Sequence, residues 1–136
     1  MNIYFCGSIK GGRQKVSTYA VMVEICKRYG VVLTEHVADC KYVTGKSSPE
    51  QVYEQDVAWL DQSDIVIAEI TVASLGVGFE IAYAQAKHKP IYCFYEQGLD
   101  ISCMIKGNPG LICLSYVSNE QLSQQLNDIL KGASNA

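Results

Sequence analysis

The chain has 136 residues, 49% of them apolar and 18% charged, with a formal net charge of −3, as expected of an ordinary globular protein with one domain. Because the Lys and Arg residues form no stripe, a nucleic-acid or membrane-surface role has little electrostatic support. No apolar run approaches the length of a membrane span, and the N-terminus enters a strand-like run at once, without a signal-peptide pattern.

Strand and helix patterns alternate along the first third of the chain. A strand is expected over residues 2–6, and apolar residues at helical spacing predict a helix over 16–29. Gly30 is expected to end that helix as a C′ glycine. A short strand over 31–34 and a loop over 38–48 follow.

Two capping boxes predict later helix starts. Ser48 with Gln51 opens a helix that runs to about residue 62, and Ser118 with Gln121 opens the last helix. Between them, strands are expected over 65–70, 90–95 and 111–115, a helix over 77–88, and a loop with one helical turn over 96–109. The domain is expected to span residues 1–131, and residues 132–136 are expected to form a flexible tail.

The strands lack a clean alternation of apolar and polar residues and are separated by helices, which predicts a parallel sheet covered on both faces. Five such units predict a single-domain α/β fold. It is a doubly wound five-stranded parallel sheet of the flavodoxin-like or Rossmann-like kind, a three-layer sandwich. Ligands bind beyond the carboxyl ends of such strands, so the chemistry is expected in segments 7–13, 34–37, 69–80 and 95–107.

The six cysteines are spread singly, with no C-x-x-C pair, and only two histidines are available to complete a metal site. Neither a metal nor another cofactor is therefore expected. Several cysteines lie in apolar strand-like runs, where Cys usually behaves as a small hydrophobic residue. A reducing compartment, the cytoplasm or the nucleus, is the simple inference.

The segment 74–80 joins an apolar strand to a helix and reads Ser-Leu-Gly-Val-Gly-Phe-Glu. Its two glycines allow close backbone approach and positive φ. Glu80 is expected in or near the first helical turn, where free N–H groups and the helix dipole favour negative charge. The expected result is an ionised, desolvated carboxylate suited to a nucleophile. The alternative is a glutamate that only stabilises its helix.

Asp56 falls on one face of its predicted helix together with Val52, Trp59 and Leu60, whereas Glu54 projects towards solvent. An aspartate on an apolar stripe needs a partner or a task. It is either a buried acceptor of backbone N–H bonds or a carboxyl with a raised pKa that can give a proton. Two carboxyls in one cleft, one nucleophile and one proton donor, are the arrangement of a retaining glycosidase. Such chemistry includes the C–N bond between a sugar and a nucleobase.

The loop 7–13 follows the first strand and carries three glycines, a hydroxyl and two cations. These groups suit an anion such as phosphate, although a plain tight turn explains the glycines equally well. The spacing is neither that of a Walker A loop nor that of a dinucleotide-binding G-x-G-x-x-G. A cleft that binds phosphate beside paired carboxyls would point to nucleotides.

Four further residues are weaker candidates. Tyr4 lies in the first strand, where its hydroxyl could orient a carboxylate, although core tyrosines are commoner. His36 follows the second strand and could face the base. Glu69 ends the third strand and could either line the cleft or bond a loop backbone. Ser102 lies in a mixed loop, and no local argument singles it out.

Taken together, these segments closely resemble the 2′-deoxynucleoside 5′-monophosphate N-hydrolases, within the wider nucleoside 2-deoxyribosyltransferase family. The resemblance runs from about residue 2 to 131. It rests on blocks at 3–13, 33–37, 54–60, 68–71, 74–80 and 102–107. It implies hydrolysis of a deoxynucleoside monophosphate to a free base and 2-deoxyribose 5-phosphate, a reaction of deoxyribonucleotide catabolism.

The resemblance also implies roles for individual residues. Glu80 matches the nucleophile that forms a covalent deoxyribosyl intermediate. Asp56 matches the acid that assists departure of the base and then attack of water, and Tyr4 matches the tyrosine that holds the nucleophile. Ser102 matches a serine that is donated to the phosphate site of the neighbouring subunit, so a homodimer is implied.

Further positions match the binding site of the family. Ser8, Lys10 and Ser74 match positions around the phosphate. At position 10 relatives often carry arginine, so Lys10 keeps the charge but loses the bidentate fork. The expected substrate-binding set is Gly7, Ser8, Ile9, Lys10, Gly11, His36, Ser74, Gly76, Gly78, Ser102 and Met104.

Three alternatives stay open at this point. One is a deoxyribosyltransferase that exchanges bases between unphosphorylated nucleosides, and another is a ribonucleotide N-hydrolase acting on CMP. The third is a nucleotide-binding sensor without turnover, against which the presence of both Glu80 and Asp56 argues.

Overall fold

The protein is represented by a computed structural model that describes residues 1–9, 11–38 and 48–136. Its strands are β1 (Asn2–Cys6), β2 (Val31–Val32), β3 (Ile65–Glu69), β4 (Ile91–Glu96) and β5 (Ile112–Tyr116). Its α-helices are α1 (Val16–Lys27), α2 (Pro49–Gln62), α3 (Leu75–Ala86), α4 (Cys103–Lys106) and α5 (Asn119–Ser134). A 3₁₀ helix spans Glu35–Ala38.

The five strands form one sheet in the order β2-β1-β3-β4-β5, and every neighbouring pair is parallel. The predicted doubly wound, flavodoxin-like fold is therefore confirmed. In this order the chain reverses direction across the sheet between β1 and β3, so the loops after these two strands flank the crevice in which ligands bind.

The helices cover both faces of the sheet. α1 and α5 pack on one face, where Leu122, Leu126 and Leu130 of α5 are completely buried at a spacing of four residues. Each such leucine contributes roughly 1.5–3 kcal/mol relative to an exposed one. α2 and α3 pack on the other face, over the side chains of Tyr4 and Cys6. That second face is the one that carries the predicted carboxyls.

Helix starts follow the sequence signals closely. At α2, the Ser48 hydroxyl accepts from the Gln51 N–H at 3.1 Å, and the Gln51 side chain accepts from the Ser48 N–H at 2.9 Å. At α5, the Ser118 hydroxyl accepts from the Gln121 N–H at 3.1 Å. Both N-terminal ends are therefore where the capping boxes predict them.

Gly30 does not have the role predicted for it. Its φ is not in the left-handed region, so it is not a C′ glycine of that kind. A Cβ at this position would lie 2.1 Å from the carbonyl oxygen of Met1. Glycine is needed here because the chain passes close to the start of β1, and α1 already ends at Lys27.

Other boundaries also move. α3 begins at Leu75 and ends at Ala86, two residues earlier than expected at each end. β2 contains only Val31–Val32. α5 continues to Ser134, so the helix passes the domain boundary expected at residue 131. Most of the loop predicted over 38–48 lies outside the described residues.

Candidate active site

Glu80 lies deeper in its helix than the sequence suggested. The Ser74 hydroxyl caps α3 by accepting from the Val77 N–H at 3.3 Å, so the helix begins at Leu75 and Glu80 falls in its second turn. The free N–H groups of the first turn are therefore not what holds this carboxyl. The prediction of a carboxylate kept ionised by a helix start is wrong for this reason.

Two side chains of β1 hold Glu80 instead. The Tyr4 hydroxyl and the Cys6 thiol lie close to the Glu80 carboxyl, and hydrogen bonding from each lowers the pKa of Glu80. Burial raises the pKa of Glu80 to about 7; the two hydrogen bonds oppose this rise, and the charge of Asp56 adds to it. Burial also raises the pKa of Tyr4 and of Cys6, so both keep their protons and act as donors.

Asp56 lies on α2, partly buried, and near enough to Glu80 for its charge to raise the pKa of Glu80. Burial raises its pKa, in the direction predicted for a proton donor. Glu54 is exposed, as expected, but Val52 is 41% exposed, so the apolar stripe of α2 does not extend to it. Because two interacting carboxyls titrate as a pair, a charge on one makes ionisation of the other harder.

His36 contacts Trp59 of α2. It belongs to the 3₁₀ helix after β2, and its ring centroid is 5.7 Å from that of Trp59. Burial lowers the pKa of His36, and the positive charge of Arg13 lowers it further. A neutral imidazole beside an indole ring, on the same helix as Asp56, offers a flat surface and a hydrogen-bonding group for a ring-shaped ligand.

The loops after β1 and β3 touch each other. A Cβ on Gly11 would lie 2.2 Å from the Ala73 carbonyl oxygen and 2.9 Å from the Ser8 hydroxyl oxygen, so only glycine fits. Ser8 is completely buried, and within the described part of the chain its hydroxyl has no hydrogen-bond partner. Its N–H donates to the Tyr19 hydroxyl at 2.9 Å. The loop is therefore built tightly against the start of α3.

One pocket lies beside the N-terminus of α3 and is closed on the far side by α4. It brings together five of the predicted binding residues, Gly11, Ser74, Gly78, Ser102 and Met104. The Ser102 hydroxyl also caps α4 by accepting from the Met104 N–H at 3.2 Å. Ser102 thus shares a pocket with Ser74 of the same chain.

The Glu80 carboxyl, which does not itself line this pocket, approaches Ser74 at Gly76. A Cβ placed there would lie 3.7 Å from a carboxyl oxygen of Glu80 and 3.8 Å from the Ser74 hydroxyl oxygen. At Gly78 a Cβ would meet nothing within 4 Å. The absence of a side chain at Gly76 leaves the space between the Glu80 carboxyl and the Ser74 hydroxyl open, and Gly78 leaves room in the pocket.

Two of the remaining predicted positions, Gly7 and Ile9, pack against core residues. A Cβ on Gly7 would lie 2.8 Å from the Tyr19 ring, and Ile9 packs against the core under α1 and α5. Lys10 lies outside the described residues. Among the residues that the structure describes, no group of three or more His, Cys, Asp or Glu could hold a metal ion.

Glu69 takes the second of its two predicted alternatives. It is completely buried and accepts from the Thr71 N–H at 2.7 Å, from the Thr71 hydroxyl at 2.8 Å and from the Tyr116 hydroxyl. The Thr71 hydroxyl in turn accepts from the Glu96 N–H at 3.0 Å. A buried carboxylate is stable only with such partners. This network fixes the turn that leads from β3 to Ser74.

Cys6 is the residue at this site that sequence reasoning missed. It was grouped with the cysteines of apolar strands, and an isolated cysteine in such a strand gives no signal of a polar partner. The alternation of side chains along β1 does place it on the same face as Tyr4, which was singled out. That shared face was the available signal.

The fold and the site together define a class of protein. Its members are doubly wound α/β domains that carry two interacting carboxyls and a glycine-rich loop after the first strand. The family model for nucleoside 2-deoxyribosyltransferase matches residues 3–126. The chain belongs to this family, and the resemblance predicted from the sequence is confirmed. Over the described residues, no helix has the length and apolar character needed to cross a membrane.

The chain is similar to two curated relatives in sequence and to one solved structure in fold. The chain is 46% identical to the 5-hydroxymethyl-dUMP N-hydrolase of Rattus norvegicus over 112 residues, which cover 78% of this chain and 69% of that protein. It is 37% identical to the enzyme of that name from Esox lucius, over 98% of this chain and 99% of the relative. A CMP N-glycosidase from Clostridium botulinum has the same fold, with a TM-score of 0.68, 18% identity, and coverage of 93% and 99% of the two chains.

Proposed function

We propose that the protein hydrolyses the N-glycosidic bond of 2′-deoxynucleoside 5′-monophosphates, releasing the free nucleobase and 2-deoxyribose 5-phosphate. The observation that carries the proposal is the desolvated Glu80 carboxyl, which lies near Tyr4 and the Ser74 end of α3 and within electrostatic reach of Asp56. The names of the relatives point to the same reaction class.

In the first step, an ionised Glu80 oxygen attacks C1′ of the sugar. The C1′–N bond breaks, its electron pair goes to the base, and Asp56 supplies a proton to the departing base. The products of this step are the free base and a deoxyribosyl group bound as an ester to Glu80. The absence of a 2′-hydroxyl favours the step, because the positive charge that develops on the sugar is less destabilised.

In the second step, the now ionised Asp56 takes a proton from a water molecule, whose oxygen attacks C1′. The ester bond to Glu80 breaks and the carboxylate is restored, with 2-deoxyribose 5-phosphate as product. Asp56 regains the proton that it gave, so the cycle consumes only one water. Tyr4 holds the Glu80 carboxyl in place through both steps.

The phosphate is expected at the start of α3. The free N–H groups there favour an anion, and Ser74 and the close-packed Gly11 loop lie beside them. Contacts with the phosphate would hold C1′ against Glu80 and convert binding energy into orientation. The requirement for a phosphate separates this proposal from a transferase of unphosphorylated nucleosides.

A substrate panel tests the function. Base release should be seen from 2′-deoxynucleoside 5′-monophosphates, with kcat/KM at least about 100-fold lower for the matching deoxynucleosides, because the phosphate supplies the orientation. Ribonucleoside monophosphates, CMP included, belong in the same panel. Equal rates on nucleosides, transfer to an added base in preference to water, or preference for CMP would each replace the proposal with one of its rivals.

The protein is further proposed to act as a homodimer. Large apolar side chains lie exposed along α2, α3 and α4, among them Leu75 at 97% and Met104 at 81% exposure. Phe79 contacts the rings of Tyr53 and Tyr83, which extends the apolar surface across two helices. A second copy of the chain would cover this surface and bring its Ser102 near the phosphate site.

Mixing two defective variants tests whether Ser102 acts across the interface. Ser102→Ala should raise KM about tenfold with kcat nearly unchanged, because one bond to a charged phosphate is lost. Heterodimers of Ser102→Ala and Glu80→Gln subunits should then contain one intact site, so a mixture should regain wild-type KM in about one site in four. Since Ser102 also lines the pocket of its own chain, no recovery on mixing would mean that it acts within one subunit.

A further inference from the structure

Strand β1 carries two possible hydrogen-bond donors to the Glu80 carboxyl, the Tyr4 hydroxyl and the Cys6 thiol. Tyr4 and Cys6 are completely buried, lie on one face of β1, and pack with Val77 and Ile81 of α3. Hydrogen bonding from each of them lowers the pKa of Glu80, which lies between Val77 and Ile81 on α3. Tyrosine in this position is the expected partner of a nucleophile, whereas a thiol is not.

We propose that Cys6 is a positioning residue, whose thiol donates a hydrogen bond that orients the Glu80 carboxylate and stabilises its charged form. The inference rests on the proposed function, in which Glu80 is the nucleophile. The thiol is well placed for this task because Cys6 ends β1, where it is paired with Ala68 of β3 in the middle of the sheet. Strand backbone at such a position is rigid, so the donor has little freedom to move away.

The alternative is that Cys6 only fills space. A cysteine in a central strand is commonly a small apolar side chain, and its S–H is a weak donor. The two roles differ in what the loss of the thiol does to Glu80. A space-filling residue affects activity equally at every pH, whereas a donor to the charged form affects it most at pH values below the pKa of Glu80.

Among the residues that the structure describes, the groups that act on Glu80 are few enough to interpret such an experiment. Tyr4 and Cys6 face it from β1, and Asp56 faces it from α2. Cys93 of β4 is a matched control, because it is completely buried in the same cluster and lies across Ala68 of β3 from Cys6. Its own hydrogen bond is with Cys113 of β5 and not with Glu80.

The test is the pH dependence of kcat/KM on a 2′-deoxynucleoside 5′-monophosphate for the wild type and for Cys6→Ala, Cys6→Ser and Cys93→Ala. A donor to the carboxylate lowers its pKa, so Cys6→Ala should raise the pKa of the nucleophile and move the acid limb to higher pH. We expect a loss of about threefold to tenfold below the limb and a much smaller loss on the plateau. Cys6→Ser, which keeps a donor, should restore the wild-type limb, and Cys93→Ala should leave it in place.

A uniform loss at all pH values in Cys6→Ala, or a limb that stays in place, would overturn the proposal. So would an equal displacement in Cys93→Ala, because packing alone would then explain it. Thermal unfolding of each variant identifies any that fails to fold, and Cys6→Ser keeps the comparison usable in that case.

A second measurement separates this inference from the function on which it rests. The Glu80 side-chain carbon can be titrated by NMR in protein labelled with ¹³C-glutamate, with Glu80→Gln to assign its signal. Its pKa should be higher in Cys6→Ala than in the wild type, whether or not the protein turns over nucleotides. An unchanged titration would refute the hydrogen bond, whereas a displaced titration in an inactive wild type would refute the proposed reaction only.

Discussion

Replacing Glu80 with glutamine is expected to reduce base release from deoxynucleoside monophosphates by at least about 10³-fold, through a fall in kcat. The amide has nearly the shape of the carboxyl and can accept the hydrogen bonds from Tyr4 and Cys6, but it cannot attack C1′. Single-turnover measurement of base release tests this directly. Mass spectrometry of the acid-quenched wild type should detect a deoxyribosyl phosphate adduct, and the variant should lack it.

Glu54→Gln is the matched control, because it makes the same chemical change on an exposed side chain of α2. Its activity should equal that of the wild type. If Glu80→Gln kept more than about a tenth of the activity while Glu54→Gln behaved normally, Glu80 would not be the nucleophile. Loss of activity caused by unfolding is distinguished by the stability measurement that follows.

Glu80→Gln should also make the protein more stable at high pH. The folded-state pKa of Glu80 is raised from the ordinary 4.5 to about 7, because the charged form is buried. Ionisation therefore opposes folding, and the cost appears between pH 4.5 and 7 as the pH rises. At pH 8 the glutamine variant should gain up to about 3 kcal/mol in unfolding free energy, and the gain should vanish below pH 4.5. A variant that is more stable but inactive is expected when a buried charge is kept for function at a cost in stability.

The same pKa gives the pH profile of the wild-type enzyme an acid limb, and the proton that Asp56 must carry in the first step makes the rate fall again at higher pH. Only the ionised Glu80 can attack, so the acid limb of kcat/KM should lie near the pKa of about 7. An ionised phosphate at the start of α3 would move it upward, because a negative charge nearby opposes a second one.

The sequence predicted the fold well because its signals were local and redundant. Capping boxes, apolar strands and helical spacing each depend on neighbours in the chain, and Ser48, Ser118 and β1 lie where these signals placed them. Gly30 shows where local reasoning fails. Its glycine is required by the carbonyl of Met1, which is distant in sequence, and the pattern at the end of α1 gives no sign of that contact.

The site was only partly predictable for a similar reason. Glu80 and Asp56 were found because a carboxyl on an apolar face is unusual, and the raised pKa of Asp56 agrees with that reasoning. The error about Glu80 came from the predicted start of α3. Ser74 caps α3 earlier than expected, which moves Glu80 from the first turn to the second and replaces helix N–H groups with Tyr4 and Cys6 as its partners. Which strand packs against a helix is decided by the tertiary structure, and the spacing of apolar residues along the chain does not reveal it.

Replacing Asp56 with asparagine is expected to lower kcat by about 10²–10³-fold, because the departing base loses its proton donor and the water loses its base. The loss should be smaller for a substrate whose base is a good leaving group, since such a base needs less protonation. Base release from two substrates that differ in this property measures the effect. Asp61→Asn is less suitable as a control, since Asp61 accepts a 2.8 Å bond from the Tyr83 hydroxyl, so Glu54→Gln serves again.

The pH profile of Asp56→Asn should change in the direction opposite to that of Cys6→Ala. The negative charge of Asp56 raises the pKa of Glu80, so its removal should lower that pKa and move the acid limb to lower pH. The variant would thus combine a much lower plateau with a limb displaced towards acid. A lower plateau with the limb unmoved would place Asp56 outside electrostatic reach of the nucleophile, and an unchanged plateau would remove it from the proton transfers altogether.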